Sequence, residues 1–351
     1  MTKKTDYIIV GSGLAGTSLA MALLKREKSI RIFNSPNFNS STHVAGGLYN
    51  PITGRKMVKT WKADELFPSL LRFYGELQKT TGKNFLKELR IYRPFVSLEE
   101  QNEWMGKSVS SEYSPYVHQI HMSSINPDLN DDFGGLELSQ SGYLDTTIFL
   151  KASHELFVEK GLLVDETFDF SNLNTSSTEV EYLGFEASKV IFCEGTYLSS
   201  NPYFNWLPFS PVKGEILTIE SELNTTVIVN RGVFCVPKGG NQFRVGSNYD
   251  NTDLSWIPTD KALVEIEDKL KALLKVPFKT IHQKAGVRPA TKDRRPYIGL
   301  HPKNETIGMF NGLGTKGVSL APFFGEHFAA FLNGETELDN EVNISRYFSL
   351  S

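Results

Sequence analysis

The first 35 residues alternate between apolar runs and short polar or glycine-containing turns, a pattern typical of a parallel α/β unit. The apolar run at about 6 to 10 predicts a strand, and the spacing of apolar residues at about 14 to 26 predicts a helix. The alternation in SIRIFN, residues 29 to 34, predicts a second strand. This strand–helix–strand order is half of a dinucleotide-binding unit.

Further along the chain the pattern changes. From Asp64 apolar residues recur at helical spacing, a strand is predicted at 89 to 96, and 145 to 161 predict another helix. Between 211 and 247 the period is near two, with PKGGNQ as a hairpin turn, which predicts antiparallel sheet. A helix predicted at 259 to 275 follows, and the chain closes with a strand, a glycine turn and a helix.

These alternations predict an α/β plus α+β fold with two interleaved domains. A Rossmann-type domain is expected to combine residues 1–62, 141–207 and 284–351. An antiparallel-sheet domain is expected to combine residues 63–140 and 208–283.

Composition narrows the class of protein. No stretch of this 351-residue chain approaches the length of an apolar membrane span, so none is expected. The net charge of −3 offers no broad basic surface, which makes nucleic acid an unexpected partner. Cys193 and Cys235 lie in apolar segments without metal-ligand spacing, so we expect buried thiols, no metal site and a cytoplasmic location.

The stretch DYIIVGSGLAG places three glycines between the first strand and the first helix. Gly11 permits a tight turn, Gly13 lets the backbone approach a pyrophosphate, and Gly16 lets helix and strand pack closely. The amides of Leu14 and Ala15, at the helix N-terminus, suit an anion. The motif predicts a dinucleotide site and leaves NAD, NADP and FAD open.

At the end of the second strand, an acidic residue would ordinarily bind the ribose of the dinucleotide. The residue here is Asn34, whose amide oxygen accepts a hydrogen bond without the assistance of a charge. We therefore expect weaker ribose binding by Asn34 or a contribution from Ser35.

The segment SSTHVAGGLYNP, residues 40 to 51, puts small residues where a flavin would need close approach of the backbone. It resembles the flavin-contacting segment of D-amino-acid oxidases. His43 replaces an acid of that family and Gly46 an alanine. The matching positions are Thr42, Val44, Ala45, Gly47, Leu48 and Pro51.

The C-terminal half resembles glycine oxidases in VFCVPKGGNQFRVGS, AGVRPATKDRRPYIGLHP and GLGTKGVSLAP, in the same order. The resemblance implies an FAD-dependent oxidoreductase of the D-amino-acid oxidase superfamily. The Rossmann-type domain is then the FAD-binding domain and the other the substrate domain. Because no cysteine lies in the C-terminal flavin motif, the FAD is expected to be non-covalent.

The resemblance also implies a substrate site. Arg288 is expected to hold a substrate carboxylate over the flavin, since a guanidinium matches a carboxylate bidentately. Phe234 occupies the position of an active-site tyrosine of glycine oxidases and Thr315 that of an arginine, so substrate binding by Phe234 is expected without a hydrogen bond. These departures leave the identity of the substrate open.

The glycine turn in NGLGTKGVSLAP enters a helix whose free N–H groups suit negative charge on the pyrimidine side of the flavin. Lys316 is predicted to be catalytic together with Arg288. We also predict that His43 and Gly46 contact the cofactor, although both residues differ from those of the family at these positions. The turn and the remaining strand ends add Gly195, Gly312, Gly314, Thr315, Lys316 and Gly317 to the predicted FAD contacts.

The expected reaction is oxidation of the C–N bond of an amino acid or secondary amine, by hydride transfer to flavin N5 with oxygen as acceptor. One alternative is a dehydrogenase that passes electrons to a quinone or carrier. Another is trimming of a tRNA wobble-uridine side chain, because AGGLYNP also resembles the flavin domain of that enzyme. A flavin protein without turnover and a nicotinamide dehydrogenase are weaker alternatives, and the oligomeric state stays open.

Overall fold

This computed structural model describes residues 2–36, 39–54 and 56–351, which form two eight-stranded sheets, a three-stranded sheet, a two-stranded sheet and seven α-helices. The helices are α1 Leu14–Lys25, α2 Ser41–Val44, α3 Ala63–Thr81, α4 Leu98–Ser108, α5 Thr146–Glu159, α6 Asp260–Lys271 and α7 Gly317–Leu332. The strands of the first half are β1 Lys3–Val10, β2 Ile30–Phe33, β3 Leu48–Tyr49, β4 Ile52–Thr53, β5 Val58–Lys59, β6 Leu86–Glu88, β7 Ile91–Pro94, β8 Val117–His121, β9 Gly135–Leu138, β10 Gly142–Leu144 and β11 Leu163–Val164. Those of the second half are β12 Leu173–Thr175, β13 Val180–Tyr182, β14 Phe185–Phe192, β15 Val212–Ser221, β16 Ile228–Arg231, β17 Val233–Gly239, β18 Gln242–Gly246, β19 Phe278–Arg288, β20 Tyr297–His301 and β21 Asn304–Asn311. The three-stranded sheet has the order β3-β10-β6, and the two-stranded sheet pairs β4 with β5.

The first sheet has the order β11-β2-β1-β14-β13-β12, and β21 also pairs with β14. Strand β1 lies parallel to both β2 and β14, with Val10 level with Phe33 and Phe192. Its central residues Ile8 and Ile9 are fully buried, as expected for a parallel strand covered on both faces. The predicted parallel α/β start of the chain is therefore confirmed.

The second sheet has the order β19-β15-β18-β17-β16-β7-β9-β8. All of its pairs are antiparallel except β16 with β7, where Ile228 lies level with Ile91. The sequence predicted an antiparallel sheet for this domain, and the parallel pairing of β16 with β7 departs from that prediction. It joins two distant chain segments, so no hairpin dictates the direction in which the strands run.

The two faces of the second sheet have different coverings. Helix α6 packs on one face, where Ile266 and Leu270 contact a core that includes Val229 and Cys235. Side chains alternate along a strand, so Asn230 and Phe234 point to the opposite face. That face lines the cavity described below.

A proline in α7 frees a backbone carbonyl that forms a hydrogen bond with α3. Pro322 lies inside α7 and has no N–H to donate to the carbonyl of Val318, four residues earlier. The hydroxyl of the buried Tyr74 donates to that carbonyl instead, at 3.0 Å. This bond fixes α3 against the N-terminal part of α7.

Most predicted elements lie within a few residues of the observed ones. Strand β11 is short and consists of only two residues, Leu163–Val164. Asp145 is the N-cap of α5 and accepts from the amides of Thr147 and Ile148. Strand β19 continues past residue 284, and the two domain boundaries stay a prediction. Among the described residues, we find no helix with the length and apolar character needed to cross a membrane.

Candidate active site

A single cavity of about 2100 Å³ is lined by both large sheets and by the N-terminal ends of α1 and α7. It is larger than the roughly 300–1,000 Å³ typical of a pocket for one small ligand. Of the predicted site residues, only Gly16 lies outside its lining. Those that line it are Gly11, Gly13, Leu14, Ala15, Asn34, Ser35, Thr42, His43, Ala45, Gly46, Gly47, Gly195, Phe234, Arg288, Gly312, Gly314, Thr315, Lys316 and Gly317.

The glycine loop has a packed side and an open side. A Cβ at Gly11, where φ is +96°, would lie 2.6 Å from the carbonyl oxygen of Cys193, and one at Gly16 would lie 1.9 Å from that of Gly11. These two glycines hold α1 close to β14. A Cβ at Gly13 would meet nothing nearer than the Thr42 hydroxyl at 3.4 Å, so this glycine is less tightly packed than the other two.

The N-terminal end of α1 is chemically suited to an anion. Gly13 is its N-cap and offers no side-chain acceptor. Within the described ranges, no side chain accepts from the amides of Leu14, Ala15 or Gly16, and the first two residues line the cavity. Uncapped amides at a helix N-terminus carry partial positive charge and bind phosphate readily.

Asn34 has a structural role that the sequence did not indicate. Its Oδ1 accepts from the backbone amide of Ser12 at 3.1 Å, and its Nδ2 donates to the carbonyl of Ser35 at 3.4 Å. The Ser12 hydroxyl in turn lies 2.5 Å from Nε2 of His154, whose pKa burial lowers. The second strand and α5 thus hold the glycine loop in place.

The segment after β2 brings backbone close to the second sheet. Ser40 caps α2 by accepting from the amide of Thr42, and the carbonyl of Ala45 accepts from Arg244 Nη1 at 3.1 Å. A Cβ at Gly46 would lie only 2.4 Å from Phe234 Cζ, so only glycine fits there. His43 lies on α2 with an exposed side chain.

Glu194 lies beside the glycine loop and was not anticipated from the sequence. It follows β14 and precedes Gly195, and Asn201 Nδ2 donates to its Oε2 at 2.7 Å. Burial raises the pKa of this carboxyl to about 7, although the bond from Asn201 acts in the opposite direction. Its place at the end of a parallel strand is the signal that could have drawn attention to it.

The turn before α7 forms the opposite wall. Gly312 and Gly314 adopt positive φ, and α7 begins at Gly317 without a side-chain cap. Thr315 is exposed. Lys316 Nζ donates to two threonine hydroxyls, Thr53 at 3.0 Å and Thr60 at 3.1 Å.

The ammonium group of Lys316 is unusually easy to deprotonate. Burial, together with the nearby charges of Arg294 and Arg295, lowers its pKa to about 8. No carboxylate in the described part of the chain forms an ion pair with Lys316, so its charge is not neutralised. Lys316 is therefore charged at neutral pH and loses its charge in mildly alkaline solution.

Arg288 ends β19 and rests against the backbone of the second sheet. A Cβ at Gly214 would lie 1.9 Å from its Nη2, so the missing side chain of Gly214 makes room for the guanidinium. Nη1 donates to the carbonyl of Lys213 at 3.1 Å, and Nη2 donates to Ser247 Oγ at 2.6 Å and to the carbonyl of Asn248 at 3.3 Å. These bonds fix the orientation of the guanidinium plane.

The charge of Arg288 is not neutralised by any residue that the structure describes. No carboxylate within the described residues pairs with it, and burial lowers its pKa. Tyr249, whose ring is exposed at the rim, lies 4.5 Å from the guanidinium. A half-buried, oriented and unpaired guanidinium on a cavity wall is a binding site for an anion.

The chain matches a family of known proteins over nearly its whole length. The family model described as DAO, FAD dependent oxidoreductase, matches residues 6–331. This chain belongs to that family of FAD-dependent oxidoreductases. The predicted family, fold class and enzyme class are therefore confirmed, whereas non-covalent attachment of FAD stays a prediction.

Individual relatives are distant. The glycine oxidase of Bacillus licheniformis is 24% identical over 95% of this chain and 94% of its own length. A bifunctional protein of tRNA 5-methylaminomethyl-2-thiouridine biosynthesis from Idiomarina loihiensis is 21% identical over 98% of this chain but only 59% of its own length. The crystal structure of glycine oxidase from Geobacillus kaustophilus superposes with a TM-score of 0.78 at 21% identity, covering 97% of both chains, which shows that the fold is shared.

The cavity of this FAD-dependent oxidoreductase fits its coenzyme. The uncapped N-terminus of α1 and the open side of Gly13 leave space and donors for a diphosphate. Two further aromatic residues, Trp61 and Tyr249, line the cavity, while Tyr74 and Tyr92 are buried in the core. Ser247, which orients Arg288, was missed because nothing in FRVGS distinguishes it from an ordinary strand end.

Proposed function

We propose that this chain oxidises the C–N bond of an amino acid or secondary amine, with FAD held non-covalently and oxygen as the electron acceptor. The observation that carries the proposal is the unpaired guanidinium of Arg288, fixed on the cavity wall by Lys213, Ser247 and Asn248. A carboxylate is the anionic group that such a fork binds best among the parts of an amino acid.

The glycine loop and the N-terminus of α1 would hold the diphosphate of FAD, and the segment from Thr42 to Gly47 would contact its flavin. Asn34 already accepts from Ser12, so its oxygen has only one lone-pair direction left for the ribose. When bound, FAD supplies the acceptor for a hydride at flavin N5. The chain's own residues supply binding, orientation and electrostatics.

Arg288 binds and orients the substrate, so that the amine end of the same molecule points along the cavity. Phe234 packs against Gly46 and forms an apolar wall that excludes water without contributing a hydrogen bond. No protein nucleophile or base is required if the amine is bound in its neutral form. Binding energy at Arg288 is therefore used for positioning, which is the main contribution expected from this site.

Lys316 and the N-terminus of α7 contribute positive charge on the opposite wall. Because the pKa of Lys316 is about 8, the group is protonated at neutral pH. Positive charge at this position favours the arrival of electrons at the coenzyme. In this proposal Lys316 acts by electrostatic stabilisation and transfers no proton.

The test is an anaerobic screen of the purified, FAD-loaded protein against amino acids and N-alkyl glycines. A substrate should bleach the flavin absorbance band, and admitting air should restore it with formation of hydrogen peroxide. Bleaching without peroxide would replace oxygen by a quinone or carrier and favour the dehydrogenase alternative. Failure of every carboxylate-bearing amine to bleach the flavin would overturn the proposal.

A further inference from the structure

Beyond Phe234 the cavity continues to a second arginine, Arg93 on β7. In the second sheet Phe234 lies directly opposite Asn230, and the parallel register of Ile228 with Ile91 and Val229 with Tyr92 brings Asn230 beside Arg93. All three line the cavity. Because neighbouring strands are about 4.8 Å apart, the backbone of Arg93 is roughly 10 Å from that of Phe234.

Arg93 lacks hydrogen bonds. Within the described residues none of its five N–H groups makes one, and its Nε is buried without a partner. Only 16% of its side chain is exposed to solvent. Buried polar groups in native proteins are nearly always hydrogen-bonded, so a largely buried guanidinium in this state calls for a partner outside the chain.

Glu100 does not provide that partner. Its Oε1 lies 3.7 Å from Arg93 Nη2, beyond hydrogen-bond distance. Both of its oxygens accept from Arg231 Nη1, at 2.7 and 2.8 Å, and Oε2 also accepts from the amide of Val96 at 3.1 Å. The single negative charge of Glu100 therefore faces the two positive charges of Arg93 and Arg231, and this group of three side chains has one positive charge in excess.

A further charged residue at this end of the cavity, Lys269, does not change the excess of positive charge. Lys269, which also lines the cavity, is paired with Glu265 at 2.5 Å. Burial and the charge of Arg231 lower the pKa of Arg93 to about 10, although the charge of Glu100 acts in the opposite direction. Arg93 is therefore still charged at neutral pH. The side-chain amide of Asn230, which lies beside Arg93, makes no hydrogen bond with any described residue either.

We propose that Arg93 and Asn230 form a second anion-binding subsite, and that the natural substrate carries another anionic group besides the carboxylate held by Arg288. The second group is a carboxylate or a phosphonate, since a guanidinium fork suits both. This inference rests on the proposed function, because it assigns the remote end of the same substrate. The protein would then select amines with two acidic ends over simple amino acids.

The test uses ligands that cannot be oxidised, so it does not depend on turnover. Diacids of three to seven carbons, their monoamides and the matching carboxyalkyl phosphonates are titrated into the FAD-loaded protein, and binding is followed by calorimetry and by the flavin absorbance. At the best chain length the diacid or the phosphonate should bind about 10- to 100-fold more tightly than the monoamide. The stronger of the two ligands identifies the second group.

The variant Arg93→Gln should abolish this preference while leaving monoamide binding unchanged. Arg90→Gln, which removes an exposed arginine just before the same strand, is the matched control and should keep the preference. Equal binding of diacids, phosphonates and monoamides by the unmodified protein would overturn the inference, even if Arg93→Gln failed to fold. An undiminished preference in a folded Arg93→Gln variant would overturn it as well.

The same measurements separate the two proposals. If diacids are preferred through Arg93 but no amine bleaches the flavin, the proposed oxidation falls and the subsite stands. If amines bleach the flavin and a second acidic group brings no gain in binding or in kcat/KM, the oxidation stands and the subsite falls.

Discussion

The end of the cavity at α1 is built from backbone, whereas the end at the second sheet is built from side chains. At the first end, glycines and uncapped amides from one continuous stretch face the cavity. At the second, Phe234 lies on β17, Ser247 directly follows β18, Arg288 ends β19, and Arg93 comes from the distant strand β7. In the proposed function, a local stretch of backbone therefore binds the coenzyme, while residues that only the folded sheet brings together select the substrate.

The largest expected effect is at the backbone-built end. Gly13→Val should leave the fold intact, since φ at Gly13 is −69° and a Cβ meets nothing nearer than 3.4 Å, but its side chain would fill the approach to the helix N-terminus. We expect essentially complete loss of bound FAD, measured as the ratio of flavin to protein absorbance, with an unchanged far-UV circular dichroism spectrum.

Gly75→Val, at a helix position where a Cβ meets nothing within 4 Å, is the control and should retain FAD. A yellow Gly13→Val protein with full flavin content would contradict the assignment of this end to the coenzyme.

The next effect separates the two ends. Arg288→Ala should retain FAD, because Arg288 contacts only the second sheet and its following loop. Loss of the guanidinium should cost about 2 to 5 kcal/mol in kcat/KM for a carboxylate substrate, which is a reduction of about 30-fold or more. Steady-state kinetics on the substrate found in the screen provide the measurement.

Arg72→Ala, on the exposed side of α3, is the matched control and should leave kcat/KM unchanged. Should Arg288→Ala retain the kcat/KM of the unmodified protein, Arg288 has no place in the site.

A smaller effect is expected at Lys316, which lies where the two ends meet. Lys316→Met should slow flavin bleaching about tenfold at pH 7, because one positive charge near the coenzyme is removed. The pKa of Lys316 is lowered to about 8, so the unmodified protein loses the same charge as the pH rises through 8. The ratio of the bleaching rate of the unmodified protein to that of Lys316→Met should therefore fall towards one above pH 9.

Stopped-flow measurement of bleaching from pH 6.5 to 9.5 provides this ratio, and the pH dependence of the substrate amine cancels in it. Lys303→Met, at an exposed position, should give a ratio near one throughout. A ratio for Lys316→Met that does not vary with pH would show that the charge of Lys316 is not what matters.

The backbone-built end could be predicted from sequence because its physics is local. The turn at Gly11 and the close packing at Gly16 were found at the predicted residues, whereas the approach of a pyrophosphate to Gly13 stays a prediction. Asn34 was located correctly, but its bond to Ser12 was not foreseen, since the sequence does not show which amide faces it.

The side-chain-built end was predicted only where a family motif pointed to it. Arg288 was found through its resemblance to a known arginine, whereas Ser247 and Arg93 carry no local signal. Their roles depend on which strands pair, and the parallel pairing of β16 with β7 that places Arg93 beside Asn230 was not predicted. Non-local strand pairing is set by the whole hydrophobic core rather than by any short stretch.

The bond between Tyr74 and Val318 gives the molecule a fixed joint. Tyr74 belongs to the range predicted for the substrate domain, and Val318 is the second residue of the helix that borders the coenzyme end. Sliding one layer over the other would strand a buried carbonyl without a donor, at a cost of about 1–3 kcal/mol. We therefore expect α3 and the N-terminal part of α7 to move together in any rearrangement that admits the substrate.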